Sequence, residues 1–408
     1  MKKVFMMLAA AAICTNVFAQ EAKSEEKKEE GYKFTVVKEL PITPVKDQNQ
    51  AGTCWSYSAL GFIEAELLRM GKGTYDLSEM YIVANTYNDR AMTAIRTHGD
   101  VSFSQGGSFY DVIYGMKTFG LVPEEQMRPG VMYGDTLSNH NELSALTNAM
   151  VKAIAEGDLK KLQSKDNELL CTKAIAAVHA IYLGQMPEKF TYNGTEYTPM
   201  SFYKSLGLNA DDYVSITSYT HHPFYEKFIL EIQDNWRWAA SYNVPIDEMM
   251  AIFDNAIENG YPIAWGSDVS EQGFRIGTRK GFCVLPETNT TAPSMQGSDM
   301  AHWTGMGAKQ ILDEAAKHPT PQRWVSQEER QLAYDNYETT DDHGMLIYGI
   351  AKDQMGNEYY MVKNSWGDYG EYKGMFYASK AFARYKTMNI IVHKDALPKD
   401  IKKKLGIK

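Results

Sequence analysis

The chain has 408 residues, 44% of them hydrophobic, and a formal net charge of −9. That length supports one large or two ordinary domains with a substantial core. The acidity excludes general nucleic-acid binding, which depends on Lys and Arg displacing phosphate counterions, and no stretch beyond the N-terminal one is apolar for long enough to cross a bilayer as a helix.

Met1-Lys2-Lys3 opens the chain, an apolar run follows over 4–14, and Val17-Phe18-Ala19 closes the stretch. A short basic start, an apolar segment too brief to span and small residues at the end read as a secretory signal peptide, 1–19. The mature protein is therefore expected to be exported, periplasmic or extracellular. Loss of Lys2 and Lys3 takes the charge from −9 to −11. Residues 20–31 are rich in Glu and Lys without an apolar period, the pattern of a solvated linker.

Alternation in Lys33-Phe34-Thr35-Val36-Val37 predicts a short strand, and Pro41-Ile42-Thr43-Pro44 carries extended chain onward. Next comes Gln48-Asn49-Gln50-Ala51-Gly52-Thr53-Cys54-Trp55. Leu60, Ile63 and Leu67 then recur at helical steps until Gly71-Lys72-Gly73 stops the run. Cys54 thus falls in the first turn of a helix, where unpaired N–H groups and the helix dipole favour a thiolate, the nucleophilic form. Gln48 stands upstream, suited to donate its amide to an oxyanion. Asp76-Leu77-Ser78-Glu79 has the acidic first turn of a second helix. Gln105-Gly106-Gly107-Ser108 reads as a turn ahead of the apolar run Tyr110-Asp111-Val112-Ile113-Tyr114. These elements form an N-terminal extended segment and helical lobe, 32–124.

Residues 125–246 carry helical patterns over 148–162 and 172–183 and read as a helical insertion. His221-His222 lacks a Cys, Asp or Glu cluster to complete a ligand set, so no metal is expected. Trp236 and Trp238 read as packing residues. From 247 to 398 the chain turns β-rich. A helix over 246–259 ends at Gly260, Tyr261-Pro262-Ile263-Ala264-Trp265-Gly266 reads as a buried strand, and Asp268 as a turn carboxylate. Ser326 and Glu329 have capping-box spacing. Strands over 346–350 and 359–362 flank a Met355-Gly356-Asn357 turn and deliver His343 and Asn364 to the ends of one β-rich half. Further strands are expected over 375–377 and 389–392, and 399–408 reads as a basic tail forming a surface helix. With Cys14 in the signal peptide and Cys54 assigned to chemistry, Cys171 and Cys283 are the remaining pair, and a bridge between them is left open.

The Cys54-Trp55 pair, the upstream Gln48, the distant Asp341-Asp342-His343-Gly344-Met345 and the box Lys363-Asn364-Ser365-Trp366-Gly367 occur in an order that resembles the papain superfamily of cysteine peptidases. More narrowly, Tyr334-Asp335-Asn336-Tyr337-Glu338-Thr339-Thr340-Asp341-Asp342-His343 resembles the segment before the catalytic His in the bleomycin hydrolase and bacterial aminopeptidase C branch. Ala51 stands where papain-like enzymes often carry a second cysteine, which fits the same branch. The resemblance implies an α+β, papain-like two-lobed fold: a helical lobe carries the nucleophile, a β-barrel-like lobe carries His and Asn, and a helical insertion walls the cleft. It implies Cys54 as nucleophile, His343 as its base, Asn364 as the group orienting that base and Gln48 as oxyanion donor. Gly106 and Gly107 would lie along the substrate backbone, and Trp366 would cover the His343–Asn364 bond.

Peptide substrates, a thioester intermediate and no cofactor follow from the same resemblance. A homo-oligomer is left open, because the 34 residues that separate Ala19 from Cys54 are fewer than the branch usually carries there. In that branch the chain's own C-terminal carboxylate lies in the cleft and receives the substrate amine, which makes an aminopeptidase; here the chain ends in a Lys-rich tail at Lys408. An aminopeptidase is the first reading, and an endopeptidase or dipeptidase with a more open cleft the second. A Cys-His-Asp hydrolase of transglutaminase type fits the Gln48 and Asn364 positions less well. A non-catalytic peptide-binding scaffold would show a substitution at Cys, His or Asn, and none is present.

Overall fold

Alternation along residues 343–352 sorts side chains between two cores: Met345 and Ile347 enter one, Leu346 the other. The computed structural model describes residues 31–157, 169–277, 280–289 and 305–408. The signal-peptide and linker readings over 1–30 lie outside the described residues, as does 158–162 of one expected helix. The chain divides into Met1–Glu30 and a compact unit, Gly31–Lys408, to which all the described elements belong.

The strands are β1 (Thr35–Glu39), β2 (Phe190–Tyr192), β3 (Thr195–Tyr197), β4 (Tyr213–Thr217), β5 (Lys227–Ile229), β6 (Ala240–Asn243), β7 (Ile263–Ser267), β8 (Phe282–Cys283), β9 (His343–Lys352), β10 (Glu358–Lys363), β11 (Met375–Ser379) and β12 (Thr387–His393). The helices are α1 (Cys54–Arg69), α2 (Glu79–Arg96), α3 (Phe109–Thr118), α4 (Asn141–Ala155), α5 (Leu170–Leu183), α6 (Pro199–Ser205), α7 (Ile246–Glu258), α8 (Gln272–Gly277), α9 (Ala308–Ala315), α10 (Gln327–Asp335), α11 (Lys380–Lys386) and α12 (Lys399–Lys404).

The large sheet runs β5-β6-β4-β12-β7-β9-β10-β11-β8, with β1 also paired to β9. β9 serves three partners because it is long. Its first half pairs with β7, its second half with β1 along the same edge, and β10 takes the other edge. The side-chain alternation of β9 repeats on its neighbours: Ile263, Trp265, Ile390 and Val392 join the first core, Ala264 and Ile391 the second. α7 covers the first core with Met249, Ile252, Phe253 and Ile257, and α1, α2 and α3 cover the second with Leu60, Ile63, Ile82 and Val112. This is an α+β fold whose helical and β-rich halves meet across the central strands.

The expected local signals are present. Ser78 Oγ accepts from the Tyr81 N–H at 3.2 Å to cap α2. Ser326 and Glu329 form a reciprocal capping box on α10. The β9–β10 connection turns at Gly356, whose φ of +86° suits glycine. One expectation is corrected. Residues 125–246 are not a helical insertion throughout, because after α6 the chain supplies β4, β5 and β6 to the main sheet. β4 pairs antiparallel with β12, Ile216 opposite Ile390; a partner so far along the chain leaves no local turn signal to betray the strand. Cys171 and Cys283 are both free thiols. Trp236 is packed, but Trp238 is 54% exposed. Among the described residues no helix is long and apolar enough to cross a membrane.

Candidate active site

The turn leading to Cys54 is held by short polar contacts. Asp47 Oδ1 accepts from the Asn49 N–H at 2.7 Å, and Asn49 takes a φ of +46°, which Asn tolerates better than most residues. Gln105 then ties two neighbours of the cysteine: its Oε1 accepts from the Gly52 N–H at 2.8 Å and its carbonyl from Trp55 Nε1 at 3.1 Å. Cys54 begins α1, and Ser58 Oγ donates to its carbonyl at 2.7 Å.

β9 comes up against this turn at Gly344. A Cβ there would lie 2.6 Å from Ser58 Oγ and 2.9 Å from the Phe109 ring, so only glycine lets strand and helix approach this closely. Cys54 and His343, the residue before Gly344, line one cavity of about 30 Å³. The two side chains expected to exchange a proton thus line one cavity from opposite halves of the fold.

His343 Nε2 lies 2.7 Å from Asn364 Oδ1. An amide oxygen only accepts, so Nε2 carries the hydrogen and Nδ1 is the basic nitrogen of the neutral ring. The same Oδ1 accepts from the Ser365 N–H at 2.8 Å. Trp366 stacks on the His343 ring at 4.8 Å, as expected for a cover over this bond. Gln48 is fastened to the same box: its backbone N–H donates to the Ser365 carbonyl at 2.8 Å and its Oε1 accepts from Ser365 Oγ at 2.6 Å. Its Nε2 donates to the Ala51 carbonyl at 2.8 Å, which uses one of two amide hydrogens, and Gln48 is not among the residues that line the cavity beside Cys54. Asp268 is a turn carboxylate, as read: it accepts from Ser270 N–H and Oγ at 2.6 and 2.7 Å and from the Thr340 N–H at 3.2 Å, steadying the approach to His343.

The electrostatics depart from the helix-dipole expectation. Burial pushes the Cys54 thiol up to about 12, with Asp341 and Asp234 adding to it against the backbone hydrogen bonds from Gly344 and Trp55. Burial also lowers His343 to about 4, opposed by its bond to Asn364. Taken one at a time, both shifts favour the uncharged form of the group. Thiolate and imidazolium form together when the proton crosses from Sγ to the ring, each charge offsetting the other's loss of water.

Gly106 and Gly107 differ. Gly107 lines the cavity, and a Cβ on it would sit 2.8 Å from the Trp55 ring. Gly106 does not line it; a Cβ there would collide with the carboxylate of Asp234. That carboxylate pairs at 3.2 Å with Arg90, a buried residue of α2 whose guanidinium also binds the carbonyls of Ser102 and Gly106. Ile232 and Asp234 close the cavity on this side. Neither was foreseen, because nothing local in the sequence couples them to Cys54; Asp341, two residues before His343, was within reach of sequence reasoning. A larger cavity of about 780 Å³ is lined by Tyr110, Trp236, Arg237, Trp238 and the C-terminal Gly406–Lys408. The segment from Ile232 to Ala240 borders both spaces. Outside them, Glu231 adds a carboxylate to His221 and His222, at 3.1 and 3.2 Å from their Nε2 atoms. Sequence reading missed this third member, which completes a partly exposed trio of a kind able to hold a metal ion.

Residues 2–283 and 321–407 match the Peptidase C1-like family. The chain belongs to this family. By that membership it is a cysteine peptidase. It is 23% identical to aminopeptidase G of Lactobacillus delbrueckii subsp. lactis over 400 residues, covering 89% of this chain and 83% of the relative. It is 25% identical to aminopeptidase C of Streptococcus thermophilus over 402 residues, covering 88% and 82%. Among solved structures, PepW from Lactobacillus rhamnosis HN001 superposes with a TM-score of 0.66 at 22% identity, covering 91% of this chain and 84% of that one. That likeness establishes the papain-like fold of this Peptidase C1-like chain.

Proposed function

We propose that the protein is an exported cysteine aminopeptidase, releasing residues from the free N-terminus of peptides. The observation that carries this reading is the closure beside Cys54: Ile232 and Asp234 leave about 30 Å³ there. A water occupies about 10–15 Å³ on this measure, so the space takes an amino group and little more, not several residues of an acyl chain. The names of the relatives, aminopeptidases C and G, agree with it. Export rests on the basic and apolar pattern of 1–19.

In the reaction, His343 Nδ1 takes the Cys54 proton and the thiolate attacks the scissile carbonyl. The free amide hydrogen of Gln48 and the Cys54 N–H stabilise the oxyanion. The imidazolium gives its proton to the leaving amine, a thioester remains, and His343 draws a proton from the water that resolves it. The test compares peptides with a free and an acetylated N-terminus, and determines the first residue of the mature protein. Strong preference for the free amine and a mature start at Gln20 are expected; equal cleavage of both would make the protein an open-cleft endopeptidase.

A further inference from the structure

We infer that Asp341, with Asp234 beside it, is the receptor for the substrate's α-ammonium group, so that two side chains of the cleft wall recognise the free N-terminus. This rests on the aminopeptidase reading and names the group that would enforce it. Both carboxylates line the cavity that holds Cys54 and His343, and they come from opposite sides. Asp341 precedes β9, while Asp234 is in the segment that closes the cavity. Their charges are not balanced. Arg90 pairs with Asp234 at 3.2 Å, but among the described residues no hydrogen bond or cation supports Asp341, and burial and the neighbouring Asp234 and Asp342 raise it to about 7. Asp341 is half-buried, and a partly desolvated carboxylate facing a second one gains from a cation that comes between them. A primary ammonium is the cation that fits a space of about 30 Å³.

Gly406–Lys408 border the larger cavity, not the one beside Cys54. Binding the ammonium also acts on the nucleophile, since Asp341 and Asp234 are the charges that oppose the Cys54 thiolate. A substrate that neutralises them removes that opposition as it docks, coupling recognition of the amine to activation of the sulfur.

The test uses the full chain and two anilide substrates that differ only in carrying an α-ammonium or a hydrogen at the same carbon. Wild-type enzyme is expected to prefer the amine-bearing one. Asp341→Asn, isosteric with the native residue, should cut that preference about 10- to 100-fold, mainly through a higher KM for the amine-bearing substrate. Asp341→Glu should recover part of it, and Asp234→Asn should move it in the same direction as Asp341→Asn. If Asp341→Asn slows both substrates equally, Asp341 acts through His343 or through structure, and the inference falls while the aminopeptidase reading stands. If wild-type enzyme shows no preference, the aminopeptidase reading itself fails.

Discussion

Asn364→Ala isolates the contribution of one hydrogen bond to catalysis. The His343 Nε2–Asn364 Oδ1 distance is 2.7 Å and both side chains are buried, so no water takes over the acceptor's place. The loss is larger for the charged ring, because the same Nε2–H is a stronger donor in the imidazolium that forms with the thiolate. Hydrogen bonds to charged groups are worth about 1.5–3 kcal/mol, so kcat/KM should fall about 10- to 150-fold. The bond also raises His343 against the effect of burial. Without it the imidazolium is held less firmly, and the acid limb of the rate of Cys54 alkylation by iodoacetamide should move to lower pH. Both quantities are read on protein whose circular dichroism and melting are checked, because Ser365 loses an acceptor in the same substitution. A fall below about threefold, with an unmoved acid limb, would show that Trp366 stacking alone orients the ring.

Gln48→Ala removes the side-chain oxyanion donor and should lower kcat about 10²- to 10³-fold. Alkylation of Cys54 by iodoacetamide should be little changed, since that reaction builds no oxyanion; an equal loss in both would assign Gln48 a purely structural role. Glu124→Gln bears on stability. Glu79 Oε2 and Glu124 Oε2 are buried without a partner unless a proton lies between the carboxyls, and burial together with Glu79 raises Glu124 to about 9 from 4.5. The folded protein binds that proton more tightly than the unfolded chain, so this stabilisation is full below 4.5 and disappears as pH rises through about 9. Urea midpoints should therefore fall less between pH 5 and pH 9 in Glu124→Gln than in the native protein, and parallel falls would refute the shared proton.

Much of the site was legible because papain-like chemistry needs a few residue types in fixed order. Cys54, His343 and Asn364 sit beside local signals, a helix start and a β-hairpin, that survive in one dimension. The capping box of α10 and the Ser78 cap of α2 were equally readable, since their partners lie within one turn. What escaped depends on distant chain. β4 was hidden in a segment read as helical because its partner β12 follows much later. The requirement for glycine at Gly106 was attributed to a passing substrate, whereas Asp234 fills that space. The thiol was expected to ionise readily on the strength of its helix end alone. Its burial and the two carboxylates brought to it by the fold push the thiol the other way.

β9 stitches together the halves of the molecule, giving Met345 and Ile347 to one interior and Leu346 to the next. Prising the halves apart like a hinge would tear both linings at once, directly behind the reacting sulfur. Ligand entry and exit must then be managed at the rim, by pieces such as 232–240, while the reacting pair stays still. Such a division of labour lets rim loops be rewritten for new peptides without disturbing the proton transfer underneath.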